Sequence, residues 1–155
     1  MPGQTLSTNL PTTTLLADVT ALIARVVIGA SFILHGMQKV GMGVDGTAQM
    51  FAAMGIPMPQ VAAIVAIAIE VGGGVALLIG FALPVAGVAL ALQMAGAIVF
   101  YHLAEGHAFV APAGEPSFEL AAVMGVAALA LGFTGARLAV DRWLPWGRQA
   151  QSVGA

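Results

Sequence analysis

The chain contains no cysteine. Disulfides, thiol–disulfide exchange, iron–sulfur ligation and covalent c-type haem are therefore excluded. Charge is almost as scarce. Five basic and seven acidic residues make up 8% of the 155, where a soluble domain carries roughly 25%. So few charges cannot cover a soluble surface of this length, which rules out an ordinary soluble enzyme. A net charge of −2 leaves no basic footprint for nucleic acid.

What fills the chain instead is apolar. Hydrophobic residues reach 59% and the mean hydropathy is +0.97. One membrane-crossing helix needs about 20 apolar residues, and four would use about 80–90, close to the entire hydrophobic content. The arithmetic predicts an all-α fold, a four-transmembrane-helix bundle in a single domain.

The pattern along the chain places the pieces. Residues 1–18 begin polar and rich in Thr and Pro, and read as a disordered tail. They lack the basic stretch that opens a signal peptide, so the first span is expected to be retained. Span one covers residues 19–37 and is apolar except for Arg25, Ser31 and His35. Glycines in HGMQKVGMGVDG then break it. The next segment, DGTAQMFAAMGIPMP, is too short to cross. Asp45 can cap a short helix there, Gly55 can end it, and Pro57 and Pro59 block its extension. It is expected as an interfacial or re-entrant helix between spans one and two.

Span two covers 61–83, interrupted by Glu70 and the triplet Gly72-Gly73-Gly74. A tight link at 80–84 makes spans two and three an antiparallel hairpin, and Pro84 suits the first turn of the third. Span three covers 85–103, with Gln93 inside and Tyr101-His102 at its end. The polar loop EGHAFVAPAGEPS follows. Span four covers 118–140, with Glu119 in its first turn. These elements form one domain, 19–140, and 141–155 is a basic, aromatic tail.

Arg137, Arg142 and Arg148 are three of the five basic residues. The loop after span one has Lys39 alone. The loop after span three has none and carries Glu105 and Glu115. The positive-inside rule puts the C-terminus in the cytoplasm, and four crossings put the N-terminus there too. Trp143 and Trp146 would then sit at the interface beside the arginines.

Ions inside a bilayer are costly, so each needs a reason. At about 1.5 Å per residue, Arg25, Glu70 and Gln93 all fall roughly 14–18 Å from the outer boundary, near the midplane. A pairing of Arg25 with Glu70, assisted by Gln93, is expected. A second polar layer at the outer surface gathers His35, Lys39, Tyr101, His102 and Glu119, with His107 in the loop. Helical phase poses one difficulty. Gln93 and His102 are nine apart, about half a turn, so both face inward only if span three kinks or unwinds near Tyr101.

Plainer readings exist for each group. Arg25–Glu70 can be a structural pair that fixes register. Lys39 can snorkel, Glu119 can answer the helix dipole, and the histidines can bond to backbone. Gly125 and Gly132, one heptad apart, suit helix contacts within or between protomers. The gathering of polar groups from four helices in the outer half favours a pocket open to the outer face.

The ordered strings RVVIGASFILHGMQKVGMG, GTAQMFAAMGIP, IEVGGGVALLIGF, FYHLAEG and FELA resemble the DoxX family of small four-helix membrane proteins. The resemblance covers about residues 19–140. Arg25, His35, Gly36, Lys39, Glu70, Gly73, His102 and Glu119 occupy matching positions. Family relatives include a subunit of a thiosulfate:quinone oxidoreductase, and others are linked to membrane oxidoreductase complexes that handle oxidative stress. The resemblance therefore implies an integral membrane subunit of a quinone-linked oxidoreductase in the bacterial inner membrane. Quinone is the expected cofactor, and a protein partner subunit or a second copy the expected company.

In that setting His35 or His102 would exchange protons and Glu70 or Glu119 would relay them. Lys39 or Arg25 would steady negative charge, with Gln93 and Tyr101 completing the binding site. The chain offers no thiol, flavin or nicotinamide site of its own. Electrons must reach it through a quinone, a haem or a partner. Two alternatives remain open: a carrier of a small anion or lipid, and an assembly subunit with no site. A haem b held between His35 and His102 is the weakest candidate, because both residues look interfacial. No metal site is expected.

Overall fold

The computed structural model describes residues 10–134 and 138–144. The first nine residues, Arg137, Trp146 and Arg148 lie outside the described residues. All regular structure among those described is helical.

Helix α1 spans Leu10–Ala53. Its first turns occupy residues 10–18, which the composition had assigned to the tail. It passes through Gly36 and Gly41 without breaking and turns only at Gly43, where φ is 75° and ψ 164°. That backbone is essentially restricted to glycine. The expected break after residue 37 is thus displaced by about one and a half turns. Local propensity permits this. Met37, Gln38, Lys39 and Met42 are good helix formers, and an isolated glycine costs only about 1 kcal/mol in a helix. Lys39 consequently sits on a rigid helix and not in a loop. Beyond the kink the chain is helical again to Ala53. Asp45, expected as a cap, accepts a 2.7 Å bond from the Gln60 amide instead.

Span two is built of helix α2 (Pro59–Ala68), a five-residue π-helical turn (Ile69–Gly73) and helix α3 (Gly74–Ile79). Span three is helix α4 (Leu83–Ala97) followed by a second π-helical segment, Ile98–Leu103. Helix α5 (Glu119–Phe133) comes next, and a short 3-10 turn spans Val140–Trp143. Three stretches are long and apolar enough to cross a membrane: Leu15–Ala53, Pro59–Ile79 and Leu83–Leu103. Helix α5 has 15 residues, short of the roughly 20 that a full crossing takes. The expected run to Val140 stops at Phe133, because Thr134 is extended.

Small residues let the helices touch backbone to backbone. A Cβ on Gly29 would lie 2.7 Å from the Gly74 carbonyl oxygen, and one on Gly74 would lie 2.8 Å from the Gly29 oxygen. Helices α4 and α5 cross the same way, antiparallel. Gly87 meets Gly132, and Gly125 meets Met94. Gly125 and Gly132 therefore serve contacts inside this chain. Phe32, Leu77, Leu90, Met124 and Leu131 fill the core between these crossings.

The link between spans two and three is held from far away in sequence. Gly80 turns it at φ 75°. The Asp141 carboxylate accepts bonds from the backbone N–H groups of Ala82 (2.8 Å) and Leu83 (2.9 Å), and the Asp141 N–H donates to the Gly80 oxygen (2.9 Å). Asp141 therefore caps α4 across 58 residues of sequence. It does not lead off a free tail. Arg25, fully buried, lies at this same end. Its Nη2 donates to the Leu138 carbonyl, and its charge is favourably placed relative to Asp141.

Gly36 and Gly41 thus differ in role, and substitution separates them. A Cβ on Gly36 would lie 2.6 Å from Val71 Cγ2 and 3.1 Å from Glu70 Cβ, whereas nothing lies within 4 Å of one on Gly41. Gly36→Ala is expected to cost about 1–3 kcal/mol by overpacking. Gly41→Ala is expected to be neutral or to gain up to about 1 kcal/mol. Unfolding in mixed detergent micelles measures both, and equal effects would contradict the packing described.

Candidate functional site

At the end of the bundle away from the Gly80 turn, the helices enclose a cavity of about 730 Å³. Its walls are mainly apolar and include Phe32, Phe51, Met54, Phe100 and Met124. Six of the residues expected in a site line it: His35, Lys39, Glu70, Gln93, Tyr101 and His102.

The polar floor is a three-residue cluster. Lys39 Nζ lies 2.7 Å from Glu70 Oε2, and Gln93 Nε2 donates to Glu70 Oε1 at 3.3 Å. The Glu70 side chain is 3% exposed and that of Lys39 17%. A carboxylate this deep is tolerated only when paired and hydrogen-bonded. Lys39 has three N–H donors and Gln93 has two plus a carbonyl. Both therefore keep hydrogen-bonding capacity beyond Glu70. The cluster adds no net charge to the cavity, yet it presents donors to anything inside.

This overturns the expected partner of Glu70. Arg25 is 14 residues before Lys39, about 21 Å along α1, and it belongs to the opposite end. The error came from ending span one at residue 37. Once α1 continues to Gly43, Lys39 takes the depth assigned to Arg25. Glu119 is also outside the cavity. Its side chain is exposed, although its neighbours Ser117 and Leu120 line the wall. Its backbone N–H donates to the Phe109 oxygen at 3.1 Å and anchors the preceding loop.

The phase difficulty in span three is resolved as required. The π-helical segment Ile98–Leu103 adds a residue to the turn, which rotates Tyr101 and His102 toward the cavity that Gln93 faces. Span two uses the same device, since Glu70 lies in the π-helical turn Ile69–Gly73. His102 Nδ1 is 3.2 Å from His107 Nδ1. Two Nδ1–H donors cannot bond each other, so a hydrogen bond here uses one Nδ1 as donor and the other as acceptor. Tyr101 packs edge-on to both histidines, at 4.8 and 5.1 Å between centroids.

Two residues escaped the sequence reading. Asp141 caps a helix that begins 58 positions earlier, which no local pattern signals. Thr47, fully buried, donates its hydroxyl to the Lys39 carbonyl at 3.2 Å. One string had a deceptive signal. Residues 41–46 spell G-x-G-x-x-G, but they lie at a kink between two helical segments. A dinucleotide cradle needs a strand leading into a helix.

The fold and cavity define a helical membrane protein with a buried ion pair at the floor of an apolar chamber. The profile of the DoxX family matches residues 20–103, and the chain belongs to that family. It is 35% identical over 140 residues to "Putative oxidoreductase CatD" of Bacillus subtilis (strain 168), covering 89% of this chain and 96% of that protein. It is 38% identical over 85 residues to "Inner membrane protein YphA" of Escherichia coli (strain K12), covering 54% of this chain and 60% of that protein's length. No solved structure matches.

Breaking the floor pair one side at a time should cost more than removing it whole. Lys39→Met and Glu70→Leu are each expected to destabilise by roughly 3 kcal/mol, because each strands a buried polar partner. The double variant is expected to lose clearly less than the sum. Additive losses in a detergent unfolding cycle would mean that the pair is not coupled.

Proposed function

We propose that this chain is an integral membrane subunit of a quinone-linked oxidoreductase system, and that the cavity receives the quinone head. The observation that carries the reading is the pairing of an apolar chamber with a neutral but donor-rich floor. A small anion would find the only cation of that floor already paired with Glu70. A flat, uncharged, lipid-soluble ring with carbonyl acceptors suits it better. About 730 Å³ lies within the roughly 300–1,000 Å³ usual for small-ligand pockets.

The residues present fit such a group. Phe32, Phe51, Met54 and Phe100 offer faces for a ring, and Lys39 and Gln93 offer donors for a carbonyl. A bound quinone supplies two-electron, two-proton carrier chemistry. The chain's part is to bind the head, exclude water and manage protons. Lys39 would hold positive charge beside a carbonyl oxygen, where negative charge develops on reduction. His102, linked to His107 near the loop, and His35 would hold exchangeable protons. Glu70 would hold the Lys39 ammonium in place. Electrons would come from a partner subunit, since the chain has no thiol and no dinucleotide cradle. The relative named an oxidoreductase agrees with this reading.

In the proposed topology α5 is a fourth, short crossing packed along α4. Both termini face the cytoplasm, where Arg142 and Trp143 lie, and the cavity opens toward the outer side. The segment after Gly43 roofs the cavity from the interface. The membrane is the bacterial inner membrane.

The test is purification of the full chain in mild detergent, followed by lipid extraction and quinone analysis. Co-purifying quinone near one per chain is expected, together with saturable binding of added decylubiquinone. Lys39→Met should weaken that binding about tenfold or more, as loss of a charge-assisted bond does. Absence of native quinone, absence of decylubiquinone binding and no quinone reduction in membranes holding the partner enzyme would refute the assignment.

A further inference from the structure

The hydroxyl of Thr47 reaches back eight residues to the carbonyl of Lys39, at 3.2 Å. In an unbroken helix residues eight apart are about 12 Å apart along the axis. The contact exists because Gly43, at φ 75° and ψ 164°, kinks the chain between them. A helix end leaves its last carbonyls without helical partners, and Lys39 contributes one of the carbonyls in that final turn. Thr47 is fully buried, and the adjacent Ala48 is 5% exposed. The same short segment carries Met50, Phe51 and Met54 over the cavity. One hydroxyl therefore joins the roof of the cavity to the backbone of the residue that supplies its cation.

We propose that Thr47 is a positioning residue that holds the Lys39 ammonium against Glu70 and beneath its roof, which, resting on the quinone reading above, orients the donor offered to the ligand carbonyl. Thr47 does not line the cavity, so it acts through Lys39. The Asp45–Gln60 bond ties down the same segment from its exposed side, but it does not touch the Lys39 backbone.

The composition supplies a direct probe. Lys39 is the only lysine of the chain, so it is the one side-chain amine that acetyl N-hydroxysuccinimide ester acylates. The N-terminal amine, resolved by mass spectrometry, serves as reference. The full chain in lipid nanodiscs is used at one fixed pH. In Thr47→Val the Lys39 acylation rate is expected to rise about three- to tenfold, the factor lost with one buried hydrogen bond. Thr47→Ser keeps the hydroxyl and is expected to match the wild type, as is Asp45→Ala. If Thr47→Val yields no folded protein, Thr47→Ala carries the same expectation.

An unchanged rate in Thr47→Val, or an equal rise in Thr47→Ser or in Asp45→Ala, would overturn the proposal. A parallel arm adds decylubiquinone to the wild type, where slower Lys39 acylation is expected. Failure of that protection counts against the quinone reading alone. The comparison between the threonine variants does not depend on it.

Discussion

Glu70 sits at 3% exposure inside an apolar bundle, and its charge has to be answered from two other helices at once. Lys39 meets one carboxylate oxygen and Gln93 the other. Much of the architecture follows from that requirement. Lys39 must stay on a rigid helix, so α1 cannot end where its glycines begin. Spans one and two must approach closely enough for a 2.7 Å contact, which Gly36 beside Glu70 and Val71, and Gly29 against Gly74, permit. A bulkier residue at any of these would push the helices apart and leave a carboxylate buried without its partner. That is costlier than the pair itself is stabilising.

The two π-helical segments belong to the same problem. Each costs regular helical bonding, and each falls on residues that face the cavity. A regular helix repeats every 3.6 residues and cannot aim Gln93 and His102 to one side. One extra residue per turn can. The opposite end of the bundle shows the contrasting solution. There Asp141 bonds to Gly80, Ala82 and Leu83 and holds the link between spans two and three, while Arg25 beside it donates to the Leu138 carbonyl. One charged cluster faces a chamber and the other holds a joint, although each brings together a basic and an acidic residue.

Membership of the DoxX family places the chain among membrane proteins, and one relative carries an oxidoreductase name. The chemistry of this chain narrows the part it can play. The chain has no cysteine, and its G-x-G-x-x-G string lies at a kink between helical segments. A quinone head under methionine and phenylalanine side chains, over a lysine that is already paired, is the occupant we propose.

The sequence by itself determined the membrane setting, the helical class, the hairpin of spans two and three, and six of the polar residues that line the cavity, Lys39 among them. Each of these depends on local quantities: apolar run length, turn residues, and depth counted along one helix. It even posed the right question about span three, because phase is a local property. It misjudged Arg25 and Glu119 and missed Asp141 and Thr47. In each case the deciding fact was a distance between residues far apart along the chain or across a kink. Gly36 is packed against Val71 and Glu70, whereas nothing lies within 4 Å of a Cβ on Gly41 or Gly43, and the helix turns at Gly43. The position of that turn shifts the register by several residues and decides which cation reaches Glu70. Only the tertiary structure shows it, because the alternatives have nearly the same local cost, and the cation that reaches Glu70 is fixed by the meeting of separate helices.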